Sequence, residues 1–169
     1  MDRLPKRKPK IDELEAYKIA LQTRNFEISL FWQRSNYFLA LNVALALGFF
    51  RLIESPYSFA LASLGGLVSF LWFQVNLGSK FWQSRWEERL KKQELKFTPN
   101  LHFFAASKET IESDVSDSLG GVFPATTWFK RWVNRQISKK PSVSDNMLKL
   151  SMVFMFGWVI MLIIKIVFE

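Results

Sequence analysis

The sequence predicts an all-α integral membrane protein: three transmembrane helices with helical cytoplasmic extensions, assembled as a homo-oligomer. Three observations carry the membrane reading. Apolar residues, 49% of a 169-residue chain, are gathered into three long stretches. The charges, net +8, lie almost entirely before and between those stretches. One of the stretches is uncharged over the length a bilayer core requires, and the other two come close to it.

Residues 1–10, MDRLPKRKPK, are basic like the start of a signal peptide, but a charged amphipathic segment follows them and no small-residue cleavage pattern appears. They read as an uncleaved, disordered basic tail able to touch anionic lipid. From Ile11 to Ser35, Leu14, Tyr17, Leu21, Ile28 and Trp32 recur with helical spacing among Glu13, Lys18, Arg24, Glu27 and Arg34. Between Leu14 and Ile53 the only Gly or Pro is Gly48, so the amphipathic helix should run straight into the first span, 37–53. The resulting rod would be roughly 60 Å long.

Glu54-Ser55-Pro56 allows only a tight turn, and Pro56 favours a new helix start. The second span, 57–77, is a charge-free stretch of about 31 Å of helix, against a hydrocarbon core of about 30 Å. Helical spacing continues through Lys80, Trp82, Arg85, Trp86 and Arg89 to about Lys96, completing a helical hairpin over 11–96. Residues 97–146 form a cytoplasmic loop: a break at Phe97-Thr98-Pro99-Asn100, a short helix from Ser107 to Leu119, and an amphipathic helix over 126–138 on the inner membrane surface. Ser142 and Asp145 supply a capping signature before the third transmembrane helix, 147–168. That helix crosses the bilayer only if Lys149 and Lys165 both snorkel to headgroups.

Orientation follows from basic residues. Residues 1–36 hold eight Lys or Arg and residues 78–147 hold twelve, whereas the turn between the first two spans has only Arg51 near it. Both polar segments, and the N terminus, are therefore expected in the cytoplasm, with the turn and the C terminus outside.

No catalytic constellation is present: no phosphate-binding glycine loop, nucleophile elbow or His-Glu metal motif, so no enzyme activity is expected. The absence of cysteine excludes disulfides and thiolate metal sites, a single histidine builds no zinc site alone, and no cofactor is expected. Small residues four apart, Ala40, Ala44 and Gly48 on the first span and Ser58, Ala62 and Gly66 on the second, should let the two helices approach closely, the alternative being that they join copies in an oligomer. Asn42, Gln74 and Asn76 are the candidate pore-lining residues. An intramembrane amide needs water or a partner, so Asn42 either lines an aqueous path or bonds another helix, while Gln74 and Asn76 stand at the edge of their span.

Two basic clusters are candidate ligand-binding sites: Lys80, Arg85 and Arg89, and Lys130, Arg131, Arg135, Lys139 and Lys140. Interleaved Trp82, Trp86, Trp128 and Trp132 could stack nucleotide bases while the cations hold phosphates. The other reading is an interfacial anchor, with tryptophans at headgroup level and cations on anionic lipid.

The stretch from Leu21 to Trp32 with Tyr37-Phe38-Leu39, and the stretch from Asn76 to Gln83 with Trp86-Glu87, resemble a family of small bacterial inner-membrane proteins of poorly defined role. The resemblance covers residues 11–95 and leaves 97–146 outside it. Similar small membrane proteins serve as membrane-disrupting effectors of anti-phage systems, retron-associated or of the Hailong type, in which a nucleotidyltransferase makes an oligonucleotide that controls a membrane channel. The resemblance therefore implies a multi-pass protein of the bacterial inner membrane that acts as an oligomeric channel or pore-forming effector. It further implies gating by a nucleotide or oligonucleotide from a nucleotide-polymerising partner enzyme. A non-conducting membrane anchor that recruits a cytoplasmic partner is the alternative.

Overall fold

The computed structural model describes residues 12–97, 102–120, 127–139 and 142–168. The basic tail therefore lies outside the described residues. Five helices follow in order: α1, Glu13–Arg51; α2, Tyr57–Phe97; α3, Lys108–Gly120; α4, Trp128–Ser138; and α5, Val143–Phe168. No strand occurs among the described residues.

α1 runs unbroken for 39 residues and α2 for 41, each about 60 Å and so about twice the thickness of a hydrocarbon core. Glu13 and Glu15 oppose the positive end of α1 and Arg51 its negative end. The turn is tight: the Leu52 N–H reaches the Gly48 and Phe49 carbonyls, and the buried Ser58 hydroxyl donates to the Ser55 carbonyl at 2.7 Å. α3 starts where the Ser107 hydroxyl accepts the Thr110 N–H, and α5 where the Ser142 hydroxyl accepts the Asp145 N–H.

α2 is the central element. α1 packs antiparallel along one side of it and α5 antiparallel along another. Leu45 and Phe49 of α1, Ala62 and Val68 of α2 and Trp158 of α5 form the buried apolar core. α5 meets α2 over its whole length, with Ser144 donating to Gln83 near one end and Trp158 lying on Gly65 towards the other. At the far end the Lys165 ammonium bonds the Ile53 carbonyl of the α1–α2 turn. Lys165 thus turns inward and is buried, where the sequence suggested a side chain snorkelling outward; Lys149 is exposed.

The small residues divide differently from the expected pattern. Ser58 and Ala62 of α2 are buried, but Gly65 rather than Gly66 carries the closest approach, because a methyl group at Gly65 would stand 2.3 Å from the Trp158 indole. Ala40 and Ala44 of α1 are exposed and do not face α2. Positions 38, 42, 45 and 49 make that contact instead.

By length and composition two described helices could cross a membrane, residues 57–96 and 143–167, and α1 is not one of them. The third apolar stretch, compromised in the sequence by its two lysines, is the most apolar helix of the three. Its outward face carries Val153, Phe156, Ile160, Ile163 and Ile164, all exposed.

Candidate functional site

Asn42 lies about three-quarters of the way along α1, on the face turned to α2, and has no exposed surface. Its carboxamide oxygen accepts the Ser69 hydroxyl of α2 at 2.7 Å and the Trp158 indole N–H of α5 at 2.8 Å; its amide nitrogen donates to the Phe38 carbonyl at 2.9 Å. One side chain, itself fully buried, therefore joins all three long helices. The expectation of a pore-lining Asn42 meets an amide turned into the chain and engaged there. Asn76 is likewise buried and donates to the Met147 carbonyl of α5 at 3.3 Å. Gln74 faces outward from α2.

A second polar arrangement sits on the long extension of the hairpin. Glu94 of α2 is 1% exposed, and its carboxylate accepts the backbone N–H groups of Phe103, Phe104 and Ala105 at 2.7, 2.7 and 2.8 Å. Three successive amides converge because His102 takes a left-handed conformation, φ 48°, and turns the chain back on α2. Burial pushes the Glu94 carboxyl up, yet the three amides and neighbouring His102 outweigh it and hold the group below its ordinary value. Burial and the Glu94 charge together raise the Tyr17 phenol of α1. Arg24 of α1 closes the arrangement, with its guanidinium 5.5 Å from the Phe104 ring and 3.2 Å from Glu87. The loop leading to α3 is thereby fastened to both long helices.

The candidate ligand-binding cations do not converge. Lys80 is engaged between helices, 3.3 Å from Asp145 and 3.2 Å from the Ser142 hydroxyl. Arg85 lies over the Trp82 ring at 5.0 Å, and Arg89 is exposed on α2. Lys130, Arg131 and Arg135 are exposed on α4, Lys139 just beyond it, and Lys140 lies outside the described residues. α4 packs against α3, and its Trp128, 72% exposed, Phe129 and Trp132 form an open aromatic face that Arg131 and Arg135 flank, with Lys130 on the other side.

Residues 14–167, nearly the whole chain, match the octameric membrane protein family (8xMP). The chain belongs to this family. No curated protein and no solved structure matches it. Family membership and the apolar helices make it a membrane protein that assembles as a homo-oligomer.

Sequence reasoning did not single out Glu94, Ser69, Gly65 or Trp158. Glu94 carried one signal: it repeats the helical face of Leu90 just before the Phe97–Asn100 break, where a returning loop can meet it. Trp158 carried none, because one Trp in a uniformly apolar helix does not reveal which way it faces.

Proposed function

We propose that this protein forms an oligomeric ion channel in which the three long helices of every copy cross the bilayer and α1 surrounds the central axis. The observation that carries the reading is the contrast between outward faces. α5 presents Val, Ile and Phe, the chemistry of a surface against lipid. α1 stands beside it at the same depth, since Asn42 meets Trp158, yet is too polar to qualify by composition as a span. Its outward residues include Gln33, Tyr37, Ala40, Ala44 and Arg51 alongside the exposed Leu41, Leu47 and Phe50, a mixed face where that of α5 is uniformly apolar. A helix of that kind is tolerated at membrane depth where it is shielded from lipid or lines water.

Signalling enters from the cytoplasmic side, along the extensions of α1 and α2 that carry Arg24 and Glu94. The setting implied by the sequence resemblance, depolarisation of the bacterial inner membrane in anti-phage defence on a nucleotide or oligonucleotide signal, belongs to the same proposal. The test is ion flux through purified protein in liposomes, with and without oligonucleotides, comparing the native chain with Ala44→Cys before and after a charged thiol reagent. Flux that the reagent changes only in Ala44→Cys is expected. No flux under any of these conditions overturns the channel and leaves the non-conducting anchor.

A further inference from the structure

The three long helices form a V with α2 at its apex. α1 and α5 each pack along α2, but they meet one another through Trp158, which bonds Asn42 and lies edge-on to Phe49 at 6.1 Å. Beside Trp158 the V stays open. A recess of about 170 Å³ runs between the arms, lined by Ala46, Val153, Phe154, Gly157, Trp158 and Met161. Every lining group is apolar except the indole N–H, which Asn42 already takes. A methyl group added at Gly157 would meet no atom within 4 Å, so the floor lies bare.

The opposite side of the V is a ridge. Ser63, Leu67, Phe70 and Gln74 of α2 recur at steps of four, three and four, and all are exposed. The Gln74 side chain is exposed and makes no hydrogen bond to a described residue, although an amide at the edge of an apolar span gains from a protein neighbour.

We infer that the recess between α1 and α5 seats the outward ridge of α2 from the next copy, Leu67 and Phe70 of one protomer entering against Gly157 and Val153 of another. This rests on the oligomeric reading but not on conduction. Three observations favour a second copy over an acyl chain. The family is octameric, and a closed ring of more than two copies needs two different, complementary faces on each protomer; a recess and a ridge on opposite sides of the apex are such a pair. Depths agree, as an axis along the membrane normal requires: Gly65 lies against Trp158 and Trp72 against Phe154, so the recess stands level with residues 65–72 of α2 and hence with Leu67 and Phe70. Close approach over bare glycine is how helices associate where lipid and side chain are equally apolar. Stacked in this way, every α2 lies along the circumference, with α5 on one side of the ring and α1 on the other.

The chain has no cysteine, so an introduced pair is the only pair. Gly157→Cys/Leu67→Cys in native-lipid nanodiscs, oxidised and run in denaturing gels, is expected to give a ladder rising to the full oligomer. Each single variant should run as monomer. Gly157→Phe should lower the assembled fraction in native mass spectrometry while helicity is retained. An intact oligomer without a ladder, a dimer from Leu67→Cys alone, or unchanged assembly of Gly157→Phe overturns the interface and leaves the family assignment standing. A native chain that is monomeric in lipid overturns the interface and the oligomeric reading together.

Discussion

The carboxamide oxygen of Asn42 accepts the Trp158 indole N–H at 2.8 Å, and the same oxygen accepts the Ser69 hydroxyl at 2.7 Å, so one atom fixes the depth of α5 against the hairpin. Asn42→Leu keeps the volume and orphans both donors. Interhelical hydrogen bonds in membranes contribute about 0.6 kcal/mol on average, so a loss of about 1–2 kcal/mol is expected, seen as a lower thermal midpoint in detergent. Ser69→Ala should cost less than half as much. Equal midpoints for all three proteins would mean the bonds are not formed.

Gly65→Ala should separate α5 from α2. The added methyl falls 2.3 Å from the Trp158 ring, so the large side chain must shift, and overpacking of this kind costs about 1–3 kcal/mol. Gly66→Ala, with its nearest neighbour at 3.8 Å, should be close to neutral. Trp158→Leu combined with Gly65→Ala should recover much of the loss, and a double-mutant cycle on thermal midpoints measures it.

Glu94 fastens the loop through an ionised carboxylate. Its folded pKa is depressed, so its stabilisation is present above the ordinary value of 4.5 and is lost as pH falls through the lower folded value. Amide exchange at Phe103, Phe104 and Ala105, corrected for intrinsic rates, should stay protected down to about pH 4.5 and rise below it. Glu94→Gln should expose the same three amides at neutral pH, since a neutral amide group offers one acceptor oxygen to three donors. Exchange in α5 should not change.

The open aromatic face of α4 should rest on the membrane surface, close to where α5 begins. Spin labels at Phe129 and Val133 in anionic nanodiscs should be reached by oxygen, and labels at Lys130 and Asn134 by a water-soluble relaxant. Each cation near such a surface contributes about 1 kcal/mol, so Arg131→Glu/Arg135→Glu should release the helix, most clearly at low salt, where screening is weakest. Uniform water accessibility in the native chain would place α4 off the membrane.

Much of this architecture was legible in the sequence because helix continuity is a local property. With no Pro and one Gly between Leu14 and Ile53, α1 had nowhere to stop, and Pro56 and the break at Phe97–Asn100 bounded α2. Facing was not legible in the apolar stretches. There, periodicity vanishes because every position is apolar, so neither Gly65 against Trp158 nor the bareness of Ala40 and Ala44 could be read. The Glu94 clamp was hidden for another reason. It joins a side chain to backbone amides nine to eleven residues on, and backbone groups carry no sequence signature.

In the channel proposed above, α1 and α2 would leave the bilayer as unbroken helices, without a hinge. Each is a lever with its fulcrum near the Asn42 node and an arm of about 30 Å beyond the membrane. The tip stands about 43 Å from that fulcrum, so rocking the helix by about 5° displaces the tip by about 4 Å and carries the other end the opposite way. In that reading a small push near Glu94 would be delivered as a tilt in the bilayer, with no refolding at the surface.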